Sequence, residues 1–263
     1  MRKVAKENTK KILDIHTHNL KSDERSIYNY PLLWISPIHM PLAPNQEADI
    51  NRKLALQQLI SAKPSEGGLL DGPVFINKEA LKKECFYSMG IHPWELSQNN
   101  LEKQWERMSE LQSSKQMIAI GETGLDKLAQ APMDLQLPIF KAHVDASETF
   151  KLPIIIHCVK AMEELLAVKK EFRAKQPWIW HGFRGKPEQA KQLLKLGFYL
   201  SFGEYYPDEA MLAVPPERLF LETDNSQLDI EELLQRAAKV RGVEVEMLRE
   251  TIQENVQNVF FKA

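Results

Sequence analysis

The chain has 263 residues, 43% of them hydrophobic and 27% charged, with a formal net charge of -2 at pH 7. That composition suits a soluble globular protein with a sizeable core, and the near-neutral balance excludes a global polyanion-binding surface, so any nucleic-acid contact is expected to be local. Two cysteines, Cys85 and Cys158, exclude a disulfide framework and lack Cys-x-x-Cys metal spacing, which fits a reducing compartment. The start Met1-Arg2-Lys3-Val4-Ala5-Lys6 is basic but has no apolar h-region, and no window approaches the ~18 apolar residues of a membrane span. The expectation is a cytoplasmic protein with no membrane contact and no obligate protein partner, folded as a single domain over residues 1–263.

In chain order, the first ordered stretch is Ile12-Leu13-Asp14-Ile15-His16-Thr17-His18, an apolar run ending in two histidines one residue apart. On a strand, residues i and i+2 leave the same face, so both imidazoles can reach one ion. A polar turn follows over residues 19–25, and the aromatic run Tyr30-Pro31-Leu32-Leu33-Trp34-Ile35-Ser36 reads as a second strand. Residues 37–83 give the weakest pattern. Within them 48–62 has helical spacing through Leu56, Leu59 and Ile60, and 63–68 is a Pro/Gly breaker.

From residue 85 onward a βα beat sets in. Strands are predicted at 85–94, 117–122, 153–158, 178–182, 198–202 and 218–224. Helices are predicted at 101–111, 135–150, 161–172, 187–196, 208–212, 230–240 and 245–261. Near-continuous apolar strands between amphipathic helices define a parallel sheet covered on both faces, and eight such strands predict an α/β fold closed as a (β/α)8 TIM barrel.

Five of the strands end on a residue that can bind a cation: His16 and His18, Glu122, His157, His181 and Asp224. In such a barrel the C-terminal strand ends converge on one mouth. Parity agrees: in Trp178-Ile179-Trp180-His181 both tryptophans fall opposite the histidine, where helices would cover them. Each of these residues alone reads more readily as an ordinary core or rim side chain, and it is the joint placement that points to metal. His39 and His143 have no such placement and read as surface or packing residues.

The same residues resemble the TatD family of metal-dependent deoxyribonucleases, within the amidohydrolase-like metallo-dependent hydrolases. The resemblance runs through Asp14-Ile15-His16-Thr17-His18, Gly90-Ile91-His92-Pro93-Trp94, Gly121-Glu122-Thr123-Gly124-Leu125-Asp126, Pro153-Ile154-Ile155-Ile156-His157, His181-Gly182-Phe183-Arg184-Gly185 and Glu222-Thr223-Asp224. Asn255 followed by Phe260 is similar to the family's C-terminal helix. The resemblance implies two divalent cations, with His16, His18 and Asp224 on one, His157 and His181 on the other, and Glu122 bridging them. Four imidazoles and two carboxylates also exceed what one tetrahedral zinc takes, which favours two ions sharing a carboxylate. Such a pair, ~3.5–4 Å apart, suits in-line phosphoryl displacement by a water whose pKa falls from about 15.7 to about 7 in favourable zinc sites.

Asp224 is then the candidate general base, or a ligand with no proton-transfer role. His92, Asp126 and Asp14 are candidates for orienting ligands, and His92 also for touching a substrate oxygen. Arg184 and Lys186, in a Gly-flanked loop, are either phosphate clamps or solvated charges. Two departures from the family lie at the rim. Lys160, in His157-Cys158-Val159-Lys160, stands near where many members carry an arginine, and Asn225-Ser226-Gln227 replaces a proline-aromatic continuation. Lys160 supplies a charge there but no bidentate fork.

The expected function is hydrolysis of phosphodiester bonds in DNA from a single-stranded 3′ end. A hydrolase of a small amide, lactone or phosphoester, or a non-catalytic metal- or partner-binding barrel, remains open because fold does not choose among chemistries. Imidazoles suit Zn, Mn, Fe or Ni, whereas carboxylates and phosphate substrates suit Mg or Mn.

Overall fold

The computed structural model describes residues 12–18, 26–29, 85–96, 101, 105 and 117–261. The expected strand at 30–36, the helix at 48–62, the breaker at 63–68 and His39 lie outside the described residues. Of the helix expected at 101–111 only Leu101 and Trp105 are described, and both are helical.

Among the described residues eight strands form one sheet in sequential order, every neighbouring pair parallel. They are β1 (Asp14–Thr17), β2 (Ser26–Asn29), β3 (Cys85–Met89), β4 (Met117–Asp126), β5 (Ile154–Val159), β6 (Trp178–Trp180), β7 (Phe198–Phe202) and β8 (Leu219–Leu221). A parallel bridge between Thr17 and Asp224 joins the last strand back to the first. It is made by the His18 amide donating to the Asp224 carbonyl at 3.1 Å and the Asp224 amide donating to the His16 carbonyl at 3.0 Å. The fold is therefore the TIM-barrel-like architecture expected.

The helices whose bounds lie among the described residues are α1 (Met133–Phe150), α2 (Met162–Phe172), α3 (Pro187–Lys195), α4 (Asp208–Ala213), α5 (Ile230–Arg241) and α6 (Val245–Phe260). Their ends carry the expected local chemistry. Pro187 occupies the first turn of α3, α5 opens on a reciprocal Asp229/Glu232 capping box, and Gly242 closes it at φ 64°.

Two apolar clusters divide the core. One joins the helices to the outside of the sheet, through Phe140, Val144, Leu165, Leu193 and Leu233 against Ile154, Ile156, Trp178, Trp180 and Leu200. The other gathers Leu13, Ile15, Ile155, Ile179 and Phe220 with Val256, Val259 and Phe260 of α6. Ile155 and Ile179 share parity with His157 and His181, so alternation along β5 and β6 sends the tryptophans to the helices and the histidines inward, as the sequence pattern predicts. On β1 the alternation is not simple, because its pairing with β2 shifts register between Asp14 and Thr17.

Several boundaries differ from expectation. The second strand is β2, just before the apolar run that composition favoured. β4 continues four residues past Glu122 to Asp126, with a register shift between Ile120 and Thr123, so Glu122 lies within its strand rather than at its end. β6 and β8 stop short, leaving His181, Glu222 and Asp224 just beyond them, where Gly182 (φ 55°) and Asp224 (φ 52°) turn the chain.

Glycines set the closeness of the central strands. A Cβ on Gly90 would fall 2.7 Å from the Glu122 carbonyl oxygen, and one on Gly121 or Gly124 would collide with the backbone carbonyl of Ile155 or His157. Gly121 also has φ 122°, which an L side chain rarely adopts.

Candidate metal centre

Glu122 is the hub of the mouth. Its carboxylate is buried, and its two oxygens face different partners. Oε2 lies 3.2 Å from His16 Nε2 and 3.4 Å from His18 Nε2. Oε1 lies 3.2 Å from His92 Nε2, 3.0 Å from His157 Nδ1 and 2.8 Å from His181 Nε2. Asp224 Oδ1 completes the first side, 3.4 Å from His18 Nε2 and 3.9 Å from His16 Nε2. All six expected ligands thus meet at one rim. His92, which the sequence suggested for an outer role, brings its Nε2 among them.

Among the described residues two groupings have the compactness that a cation needs: His16, His18 and Glu122, and His92, Glu122 and His157, each with donor atoms within 4.8 Å of one another. Imidazole nitrogen with carboxylate oxygen suits borderline divalent cations. His16 is fully buried and neither of its ring nitrogens makes a hydrogen bond, although Nε2 is close to Glu122. A buried polar atom left so costs free energy unless another partner takes its lone pair, and a cation held beside Glu122 is such a partner. The residues present therefore fit a metal.

Around this cluster a second set of carboxylates fixes the rings. His157 turns Nδ1 to Glu122 because Nε2 is held at 3.1 Å by Asp126 Oδ2. Asp126 is itself pinned, its Oδ2 receiving the Trp94 indole N–H at 2.7 Å and its Oδ1 the Leu128 amide at 2.7 Å. Gln136 of α1 clamps the Asp126 backbone with its side-chain amide, at 2.7 and 2.8 Å. His181 presents Nε2 inward because Glu222 Oε1, which accepts from the Gly182 amide at 2.7 Å, holds Nδ1 at 3.1 Å. Sequence reasoning gave Glu222 no role.

Asp14 is not among the donors. It latches the two ends of the barrel, accepting from the Thr223 amide at 3.0 Å and the Thr223 hydroxyl at 2.6 Å. His143 lies outside the cluster as expected, but it is fully buried packing rather than surface. Its Nε2 accepts from the Ile91 amide at 2.9 Å and its Nδ1 faces the Ile139 carbonyl at 2.8 Å, which anchors the segment carrying His92.

The electrostatics follow from this crowding. Burial alone would raise the Glu122 carboxyl, but the imidazoles of His181 and His92, with His157 and His16 beside them, hold it well below the usual carboxylate range. Burial alone would lower His181, and the carboxylates of Glu122 and Glu222 instead raise it well above the ordinary imidazole value. His92 goes the other way, its desolvation only partly offset by Glu122. Burial pushes the Asp14 carboxyl up to about 8 against the Thr223 donors. Burial also pushes the Cys158 thiol up to about 12, so it is no nucleophile.

Arg184 and Lys160 are both exposed. Arg184 rests over the Tyr205 ring at 5.4 Å, and Lys160 sits just after β5 with φ 53°. Among the described residues neither makes an ion pair with the cluster. Asn225 does reach it, its side-chain amide donating to Asp224 Oδ1 at 3.1 Å.

A closed parallel barrel with a His/Glu cluster at one rim is the architecture of the metal-dependent hydrolases of the amidohydrolase superfamily. Over residues 74–261 the sequence matches the family described as TatD related DNase, and the chain belongs to that family. An uncharacterized metal-dependent hydrolase of Bacillus subtilis is 33% identical over 149 residues, covering 53% of this chain. The match spans only 58% of that relative's length. The 3′-5′ ssDNA/RNA exonuclease TatD of Pantoea ananatis is 27% identical over 209 residues, covering 69% of this chain and 80% of the relative. In three dimensions a TatD family hydrolase from Entamoeba histolytica aligns with TM-score 0.68 at 17% identity, covering 97% of this chain and 99% of its own.

Proposed function

We propose that this protein is a metal-dependent phosphodiesterase that removes nucleotides from a single-stranded 3′ end. What supports the reading is the division of Glu122, one oxygen toward His16 and His18 and the other toward His92, His157 and His181, the donor arrangement that a carboxylate shared by two cations requires. Membership of the family and the relationship to the Pantoea ananatis exonuclease supply the substrate class.

In this reading His16, His18 and Asp224 would hold one divalent cation, His157 and His181 would hold the other, and Glu122 would be shared between them, with zinc, manganese, magnesium or nickel all compatible with these donors. When bound, the pair supplies Lewis acidity toward the phosphoryl group and lowers the pKa of water at the site. Asp224 is partly exposed at the mouth, 26% by its side chain, so its carboxylate can take a proton from an attacking water. Its left-handed backbone and the Asn225 amide hold it facing His18. His92 is placed to donate to a phosphoryl oxygen beside Glu122. Arg184 and Lys160, on the rim, would meet the chain of phosphates further out.

The test is hydrolysis of a 3′-labelled oligonucleotide by purified protein of measured metal content. Release of mononucleotides that stops on adding chelator and in Glu122→Ala supports the reading. Metal-replete protein that leaves DNA intact while cleaving a small phosphoester, lactone or amide would replace it with the small-molecule alternative.

A further inference from the structure

Trp94 is anchored and exposed at once. It sits in the 3-10 turn Pro93–Glu95 directly after His92, with 69% of its surface open to solvent. Its backbone amide donates to His92 Nδ1 at 3.1 Å, and its indole Nε1 donates to Asp126 Oδ2 at 2.7 Å. The ring meets the imidazoles of His92 and His157 edge to face, at 5.0 and 5.8 Å. These attachments fix the ring beside the metal donors, so ordering it on binding costs little further entropy. A large aromatic ring held open at the mouth adds nothing to the core, and scattered solvent exposure does not explain why it is tied to the carboxylate that orients His157.

We propose that Trp94 is the stacking platform of the substrate, a planar nucleobase lying on the exposed indole while the adjoining phosphodiester occupies the Glu122 cluster. The inference rests on the phosphodiesterase reading above and names the part of the substrate that sets its specificity. The base must be unpaired and unstacked from its neighbour, because only then is a π-face free to meet the indole.

The experiment compares two single-stranded hexathymidylates, one ending in a normal 3′ nucleotide and one with that base absent, on wild type, Trp94→Phe and Trp94→Leu. Phenylalanine and leucine both lose the N–H to Asp126, so any damage passed to His157 is common to them, and only the ring face differs. The ratio of KM values, abasic over normal, should be about tenfold in wild type, within the ~1–3 kcal/mol that stacking of one base supplies. It should persist at several-fold in Trp94→Phe and fall to about one in Trp94→Leu. Tryptophan fluorescence should be quenched by the normal hexamer in wild type and not in Trp94→Leu. A ratio that survives in Trp94→Leu, or that is lost equally in Trp94→Phe, overturns the stacking role while leaving the hydrolase reading intact. Failure of metal-replete wild type to bind or cut either hexamer overturns the phosphodiesterase reading itself, and the stacking role with it.

Discussion

The Asp224 amide donates to the His16 carbonyl at 3.0 Å, and this backbone closure between the first and last strands sets the Asp224 carboxylate 3.9 Å from the His16 ring. The donor set is complete only when the barrel is closed. A cation held there binds the folded state alone and must stabilise it. Saturation at about 100 times its Kd should contribute about 2.7 kcal/mol and raise Tm by roughly 5–10 °C, as measured by thermal unfolding with and without chelator. A Tm indifferent to every divalent cation would mean that the folded chain holds none of them.

Because Glu122 faces both groups of imidazoles, removing its charge should empty both halves of the site together. Glu122→Gln should lose bound metal by elemental analysis and lower kcat at least about 100-fold, since partners outside the ligand set already cost 10–100-fold. Loss of one equivalent with the other retained would refute a shared carboxylate.

Asp126 receives three donors on two oxygens, from Trp94, Leu128 and His157. A carboxamide has one acceptor oxygen, so Asp126→Asn must drop at least one of them, and without the negative charge its hold on His157 weakens. Metal affinity by titration calorimetry should fall about 10–100-fold with the fold intact by circular dichroism. An unchanged affinity would mean that His157 is oriented by Glu122 alone.

Fully buried His143 is pushed down to about 4 by desolvation, against its bond to the Ile139 carbonyl. The unfolded chain therefore binds more protons than the folded one between pH 6.5 and 4. The stabilisation is complete above pH 6.5 and is lost as pH falls toward 4. Between pH 7.5 and 5 this histidine should cost about 2 kcal/mol of stability. Urea unfolding of wild type and His143→Gln at both pH values measures it, and the variant should show a correspondingly smaller drop.

Asn225 departs from the family pattern and reaches Asp224 Oδ1 from the exposed side. Asn225→Ala removes one hydrogen bond to a charged oxygen near solvent, so kcat should fall about two- to tenfold with metal content unchanged. No change in the steady-state rate would assign the Asp224 orientation to its backbone alone.

The sequence carried the barrel because its strands are apolar on both faces and its histidines stand at fixed parity with them: Trp178 and Trp180 against the helices, His181 inward. It carried the convergence of the six side chains on one rim for the same reason. It did not carry β2, because Ser26-Ile27-Tyr28-Asn29 is less apolar than the run that follows it, and pairing with β1 and β3, not composition, makes it a strand. Nor did it show that β4 runs on to Asp126, since the register shift that allows this depends on where β5 lies. Glu222 and Trp94 went unrecognised for a related cause. Their roles are hydrogen bonds to residues 41 and 32 positions away, which no local pattern encodes.

The glycines between β3, β4 and β5 have a bearing on how this protein can change. Where a methyl group would strike the backbone that carries Glu122 or His157, no adjustment of a neighbouring side chain makes room. Laboratory evolution toward bulkier substrates should therefore leave codons 90, 121 and 124 untouched and collect its successes in the loops beyond the strand ends, where Lys160, Arg184 and Asn225 already differ or stand free to differ without disturbing the spacing underneath.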